Sequence, residues 1–202
     1  VENIDLPGGE YDLITSQYGI EYCHWRQAAE QVFRLLKAGG RFAFLSHAVS
    51  TDIIAYMEAE WSEYELLDDL EFLATIRSYL RGELDFPEFQ LLMQKTLAAV
   101  SAQYRKSRSP FMATLLDMLT SVVAMSKVAL EQNHDRLDGF QREIGHGRDR
   151  LEDLLRVNRA IQSDPGWYRV FERQGLGLVD SGDILYRGVH NSGRYYCFTK
   201  PG

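Results

Sequence analysis

The stretch Glu10-Tyr11-Asp12-Leu13-Ile14-Thr15-Ser16 follows the turn residues Pro7-Gly8-Gly9 and carries an apolar centre with a polar tip. That pattern predicts a strand over Tyr11–Ser16, buried on both faces as strands of parallel sheets are. From Trp25 to Lys37 the apolar residues Trp25, Ala28, Ala29, Val32, Phe33 and Leu36 recur at helical spacing. Gly39-Gly40 is expected to end that helix, because glycine accepts the left-handed conformation favoured there. Arg41-Phe42-Ala43-Phe44-Leu45-Ser46-His47 then reads as a second buried strand. Strand, crossover helix and strand with such short links make a right-handed parallel unit.

Beyond about Thr51 the pattern becomes helical and stays so to about Asp164. Four helices are expected, near Thr51–Arg81, Phe86–Lys106, Pro110–Gln132 and His134–Gln162. The first is a candidate for division near Ser62 to Asp68, and Gly139, Gly145 and Gly147 weaken the last. Asp85 and Ser109 suit N-caps. From Pro165 onward α/β character returns. A short helix over Trp167–Gln174 should precede a strand opening at Leu176, and a second strand at Arg194–Thr199 should follow a turn at Asn191-Ser192-Gly193. Residues 1–50 and 165–202 thus form one α/β unit, and residues 51–164 a helical insertion serving as a lid or a dimerisation bundle.

Composition narrows the function classes. A formal charge of −7 argues against nucleic acid, which needs a concentrated basic surface. No stretch approaches the ~20 apolar residues of a membrane span, so no membrane partner is expected. Cys23 and Cys197 are far apart and lack metal-ligand spacing, which fits free thiols in a reducing cytoplasm. His146, between Gly145 and Gly147, has no second ligand at helical or loop spacing, so no metal site is expected.

The run Tyr11-Asp12-Leu13-Ile14, preceded by Leu6-Pro7 and followed by Arg34-Leu35-Leu36-Lys37-Ala38-Gly39-Gly40-Arg41, resembles class I S-adenosylmethionine-dependent methyltransferases. The resemblance covers about Val1–Val49 and Pro165–Lys200, but not the helical middle. It implies a partial Rossmann-like sheet, strands four to seven of that family with the last antiparallel, interrupted by a large all-helical insertion. The family's glycine-rich cofactor loop and its ribose-binding acidic residue have no counterpart in these 202 residues. The expectation is therefore a C-terminal half, whose first strand is an unpaired edge and which alone is inactive and binds the cofactor weakly or not at all.

What the resemblance implies for the site follows residue by residue. S-adenosyl-L-methionine would be met by Glu2, Asn3 and Ile4 around adenine, and by Ser16, Gln17 and Tyr18 at the carboxyl end of the first strand, where α/β sheets bind ligands. Glu21, Tyr22 and His24, in the loop entering the helix, are candidates for a small-molecule acceptor. His47, following the second strand, is the candidate catalytic base, since histidine exchanges protons near neutral pH. Bland alternatives remain open for each: a strand-end turn, a solvated loop, a hydrogen-bonded structural histidine. Two other readings stay open for the whole, a non-catalytic helical interaction module on a degenerate α/β remnant and a different dinucleotide enzyme. The helical insertion presents apolar faces including Met57, Trp61, Phe72, Phe89, Met93, Met112, Met118 and Met125, and could pair with a second copy as a homodimer.

Overall fold

Strand β1 (Tyr11–Gln17) lies parallel to β2 (Leu36–Ser46), with Ile14 opposite Phe42 and Ser16 opposite Phe44. The computed structural model describes residues 2–48, 51–187 and 190–202; the expected block ends at Val1, Val49 and Ser50 lie outside them. Two further strands, β3 (Gly177–Tyr186) and β4 (His190–Thr199), complete a mixed four-stranded sheet of order β1-β2-β4-β3. The last strand inserts beside β2 and runs antiparallel to both neighbours. The protein is α/β.

The crossover helix α1 (Trp25–Leu35) ends earlier than its glycines predict, and β2 begins at once with Leu36. Tertiary partners take over the role of a glycine cap. Lys200 Nζ donates to the carbonyls of Phe33 and Leu36, both at 2.8 Å. The Gly9 and Glu10 amides satisfy Arg34 and Leu35 at 2.9 and 3.0 Å. With the orphan carbonyls of the last turn paired, Gly39 and Gly40 are freed to serve the sheet. The Gly39 amide bonds Lys200 O, and Gly40 fits where a Cβ would stand 3.0 Å from Tyr11 O of the neighbouring strand.

β1 is not buried on both faces. Ile14 and Ser16 face the core, but Leu13 is 57 % exposed. Among the described residues the strand lies at the sheet's edge, and Leu13, Thr15 and Gln17 are exposed on one of its faces.

The chain divides into two units, residues 1–54 with 155–202, and residues 55–154. In the first, α1, the end of α7 (His134–Ser163) and α8 (Arg169–Arg173) bury one face of the sheet. Its core is aromatic: Phe42, Phe44, Trp167, Phe171, Tyr196 and Phe198 pack together, with Phe44 stacked on Tyr196 at 4.9 Å between ring centres. Each such ring withdrawn from water contributes about 1.5–3 kcal/mol. The turn expected at Asn191-Ser192-Gly193 is strand instead. Leu185 pairs with Asn191 and Ile184 with Gly193, leaving Ser192 as an extra residue whose hydroxyl donates to Ile184 O at 3.0 Å. The connection falls at residues 187–189, of which 188 and 189 lie outside the described residues.

In the second unit the expected first helix is two, α2 (Thr51–Asp69) and α3 (Phe72–Leu80), with Glu71 left-handed between them. The helix α4 (Phe86–Ser107) is capped by Asp85, which accepts from the Glu88 amide at 2.9 Å. The helix expected over Pro110–Gln132 is also two, α5 (Pro110–Ala124) and α6 (Lys127–Gln132), because Ser126 accepts from the Ala129 amide and starts a new helix. α7 runs unbroken through its three glycines; a Cβ on Gly147 would lie 2.6 Å from the Tyr64 hydroxyl. Phe72, Phe89, Met93 and Met112 are fully buried, whereas Met118 and Met125 line an open groove of about 580 Å³. Among the described residues no helix is long and apolar enough to cross a membrane.

Candidate active site

The carboxyl ends of β1 and β2 point the same way because the strands are parallel, so their following residues meet at one edge of the sheet. After β1 the chain turns sharply. Tyr18 takes a left-handed conformation, φ 50°, which a residue with a side chain adopts at a cost of order 1–3 kcal/mol. It is held there by its amide, bonded to Leu45 O at 2.9 Å, and by its hydroxyl, which donates to Ser192 O at 3.2 Å. The Ser16 hydroxyl accepts from the Ile20 amide at 3.0 Å and starts a single 3-10 turn, Ile20–Tyr22. That turn drives Glu21 inward.

Glu21 is 2 % exposed, an unusual place for a carboxylate. Its backbone carbonyl accepts from the Trp25 indole at 2.9 Å. Its Oε1 accepts from the His47 amide at 3.1 Å and faces His47 Nδ1 at 2.8 Å. Its Oε2 is buried and has no hydrogen-bond partner among the described residues. With Nδ1 donating to the carboxylate, Nε2 carries the free lone pair of the imidazole. His47 remains 24 % exposed, and its ring lies 5.0 Å from that of Tyr18 and 5.9 Å from that of Tyr22. A buried carboxylate orienting a half-exposed histidine between two phenols is an arrangement suited to proton abstraction.

The structure therefore brings Ser16, Tyr18, Glu21, Tyr22 and His47 to one place. Gln17 stands exposed on the opposite face of β1. Glu2 joins the edge from the start of the chain, its carboxylate accepting from the His24 amide at the head of α1. Burial pushes the Cys23 thiol up, and the carboxylates of Glu2 and Glu21 nearby add to that shift. Ile4 is drawn elsewhere. Its carbonyl accepts from Arg34 Nη2 at 2.9 Å, and Arg34 lies ten residues beyond His24, about 15 Å along the helix axis. Asn3, exposed, lies with Ile4 beside Gln31 and Arg34 in a shallow recess. His24 is exposed at the N-cap of α1 and does not reach the Glu21–His47 pair through any hydrogen bond among the described residues.

Two features escaped the sequence. Glu21 is a partner of His47 across 26 positions, not merely a loop residue near an acceptor. Gly193 closes the site from β4: a Cβ there would lie 2.8 Å from Ser46 O and 2.9 Å from the Tyr18 hydroxyl. Neither leaves a local pattern, since both depend on which strands become neighbours. Compared with known proteins, the chain matches no protein family, no characterised protein and no solved structure.

Proposed function

We propose that the protein transfers a methyl group from S-adenosyl-L-methionine to a small-molecule acceptor, with His47 as the base that takes the acceptor's proton. The Glu21–His47 pair at the carboxyl edge of a parallel strand pair is the observation that carries this reading. The antiparallel final strand supports it as well, because the resemblance at Tyr11–Ile14 and Arg34–Arg41 implies one.

The residues present fit a positively charged cofactor. Glu2 supplies a carboxylate, Glu21 a second negative charge nearby, and Tyr18 and Tyr22 supply ring faces that attract cations. Glu2 and Tyr18 would hold it, and the hydroxyl of Ser16 shapes the turn beneath; Gln17, on the opposite face of β1, and Asn3, in the recess beside Gln31 and Arg34, lie away from them. Bound there, S-adenosyl-L-methionine supplies a methyl group on a cationic sulfur, an electrophile that needs alignment more than covalent activation.

The chain's own groups do the rest. His47 Nε2 accepts the proton from an acceptor hydroxyl or amine, and Glu21 stabilises the imidazolium that results. Tyr18 and Tyr22 flank the ring and limit its rotation. The free thiols Cys23 and Cys197 suit a cytoplasmic setting.

The test is methyl transfer by the full-length protein from S-adenosyl-L-methionine tritiated in the methyl group, offered phenols, amines and carboxylates. Transfer that disappears in His47→Gln supports the reading. Absence of transfer to every acceptor class, with no cofactor binding by calorimetry, would sink it.

A further inference from the structure

At the head of α1 lies an open groove of about 700 Å³, lined by Glu21, Trp25, Arg26, Arg156, Val157 and Arg173 among others. All belong to the first unit. Its charge runs against the rest of the chain. The protein carries −7 overall, yet this groove is lined by three arginines and a single carboxylate, the buried Glu21; Arg156 is already engaged within the chain, which leaves Arg26 and Arg173 to face the groove's opening. Arg173 has no ion-pair partner among the described residues, and Arg26 has only an exposed contact with Glu30 at 3.3 Å. The positive end of the α1 dipole opens into the same space. The floor between the arginines is apolar, formed by Trp25, Val157, Ala160 and Val170. Glu21, on the inner wall, keeps a buried carboxylate oxygen that has no donor among the described residues.

We propose that this groove is the acceptor site, and that the acceptor is a small organic anion. Its carboxylate or phosphate is received by Arg26 and Arg173, its apolar body rests on Trp25, and its hydroxyl or amine N–H donates to Glu21 Oε2. The proposal rests on the methyl-transfer reading for what happens next, because Glu21 is also the residue that holds His47. Arginine suits such a ligand better than lysine would, since its planar fork meets carboxylate and phosphate oxygens in pairs. An unpaired buried carboxylate oxygen costs free energy that a ligand donor recovers, so binding selects molecules carrying both groups.

The experiment is direct binding to the full-length protein without cofactor, followed by tryptophan fluorescence and by the chemical shift of the Trp25 indole N–H. The probes are 4-hydroxybenzoate, benzoate, phenol and phenyl phosphate. Expected results are saturable binding of 4-hydroxybenzoate at least tenfold tighter than phenol, and a loss of tenfold or more in the exposed double variant R26Q/R173Q. Glu21→Gln should weaken 4-hydroxybenzoate while leaving benzoate unchanged. The phenyl phosphate arm shows whether the anion favoured is phosphate or carboxylate; tighter binding than phenol by either one supports the groove. Equal binding of charged and neutral probes, no binding of any, or indifference to the arginine substitutions would overturn it. The two readings fail separately. A protein that binds these anions in the groove but transfers no methyl group loses the enzymatic reading alone. One that methylates only uncharged acceptors loses the groove alone.

Discussion

Glu21 Oε1 receives two hydrogen bonds from one residue, the backbone amide of His47 at 3.1 Å and its imidazole Nδ1 at 2.8 Å. The double contact fixes both the position of the residue and the plane of its ring. Proton transfer from a positioned base contributes about 10²–10⁴ in rate. On the proposed methyl-transfer function, His47→Gln should therefore lower kcat by that order with little change in KM for the cofactor. Glu21→Gln, which keeps the shape but weakens the acceptor, should lower kcat less than His47→Gln does. Steady-state kinetics on both variants check this; equal rates in wild type and His47→Gln would remove His47 from the chemistry.

Gly193 has a structural task beside that site. A methyl group there meets Ser46 O at 2.8 Å and the Tyr18 hydroxyl at 2.9 Å, and the carbonyl cannot yield without parting β4 from β2. Gly193→Ala should cost about 1–3 kcal/mol by overpacking and should shift the Tyr18 ring resonances. Gly9→Ala offers no useful control because φ there is +71°; Gly139→Ala, in open space on α7, should be neutral or stabilising. Denaturant unfolding of the pair tests the contrast.

The core supplies a third expectation. Phe44 lies between Phe171, Tyr196, Phe198 and Trp167 and is 2 % exposed. Phe44→Ala leaves a cavity that rigid aromatic neighbours cannot fill, at a cost of about 3–5 kcal/mol. Urea midpoints should fall accordingly, and near-ultraviolet circular dichroism should weaken.

Acid behaviour should be set partly in the helical unit. Burial raises the Glu60 carboxyl, and the neighbouring charge of Glu63 raises it further. The folded protein thus binds this proton more tightly than the unfolded chain. Stability from the protonated form is fully present below the unfolded value and is lost as pH rises through the higher folded value. Glu60→Gln removes the penalty, so the variant should melt at a higher temperature at pH 7 and the difference should vanish near pH 4. A variant less stable than wild type at pH 7 would show that the Glu60 charge is favourably held.

Much of this was legible in the residues. The strand at Tyr11, the helix from Trp25, the strand through Phe42 and Phe44 and the caps at Asp85 and Ser109 follow from periodicity and capping chemistry alone; the final strands pair antiparallel as expected, but not about the turn that the expectation used. The misses share a cause. Gly39-Gly40 resembles a helix cap until Lys200 reaches the same carbonyls, and Asn191-Ser192-Gly193 resembles a turn until Ile184 and Leu185 claim it as strand. Local signals describe what a segment prefers when its partners are unknown.

Sequence was sufficient to place His47 and Tyr18 after their strands, since strand ends are set by short-range pattern. It could not join His47 to Glu21, seat Tyr18 against Ser192 174 positions away, or gather Arg26 and Arg173 in one groove. Those relationships arise only when β1, β2 and β4 become neighbours and α1 packs beside α8. Contact between distant residues is a property of the packed sheet, which no single stretch of chain contains.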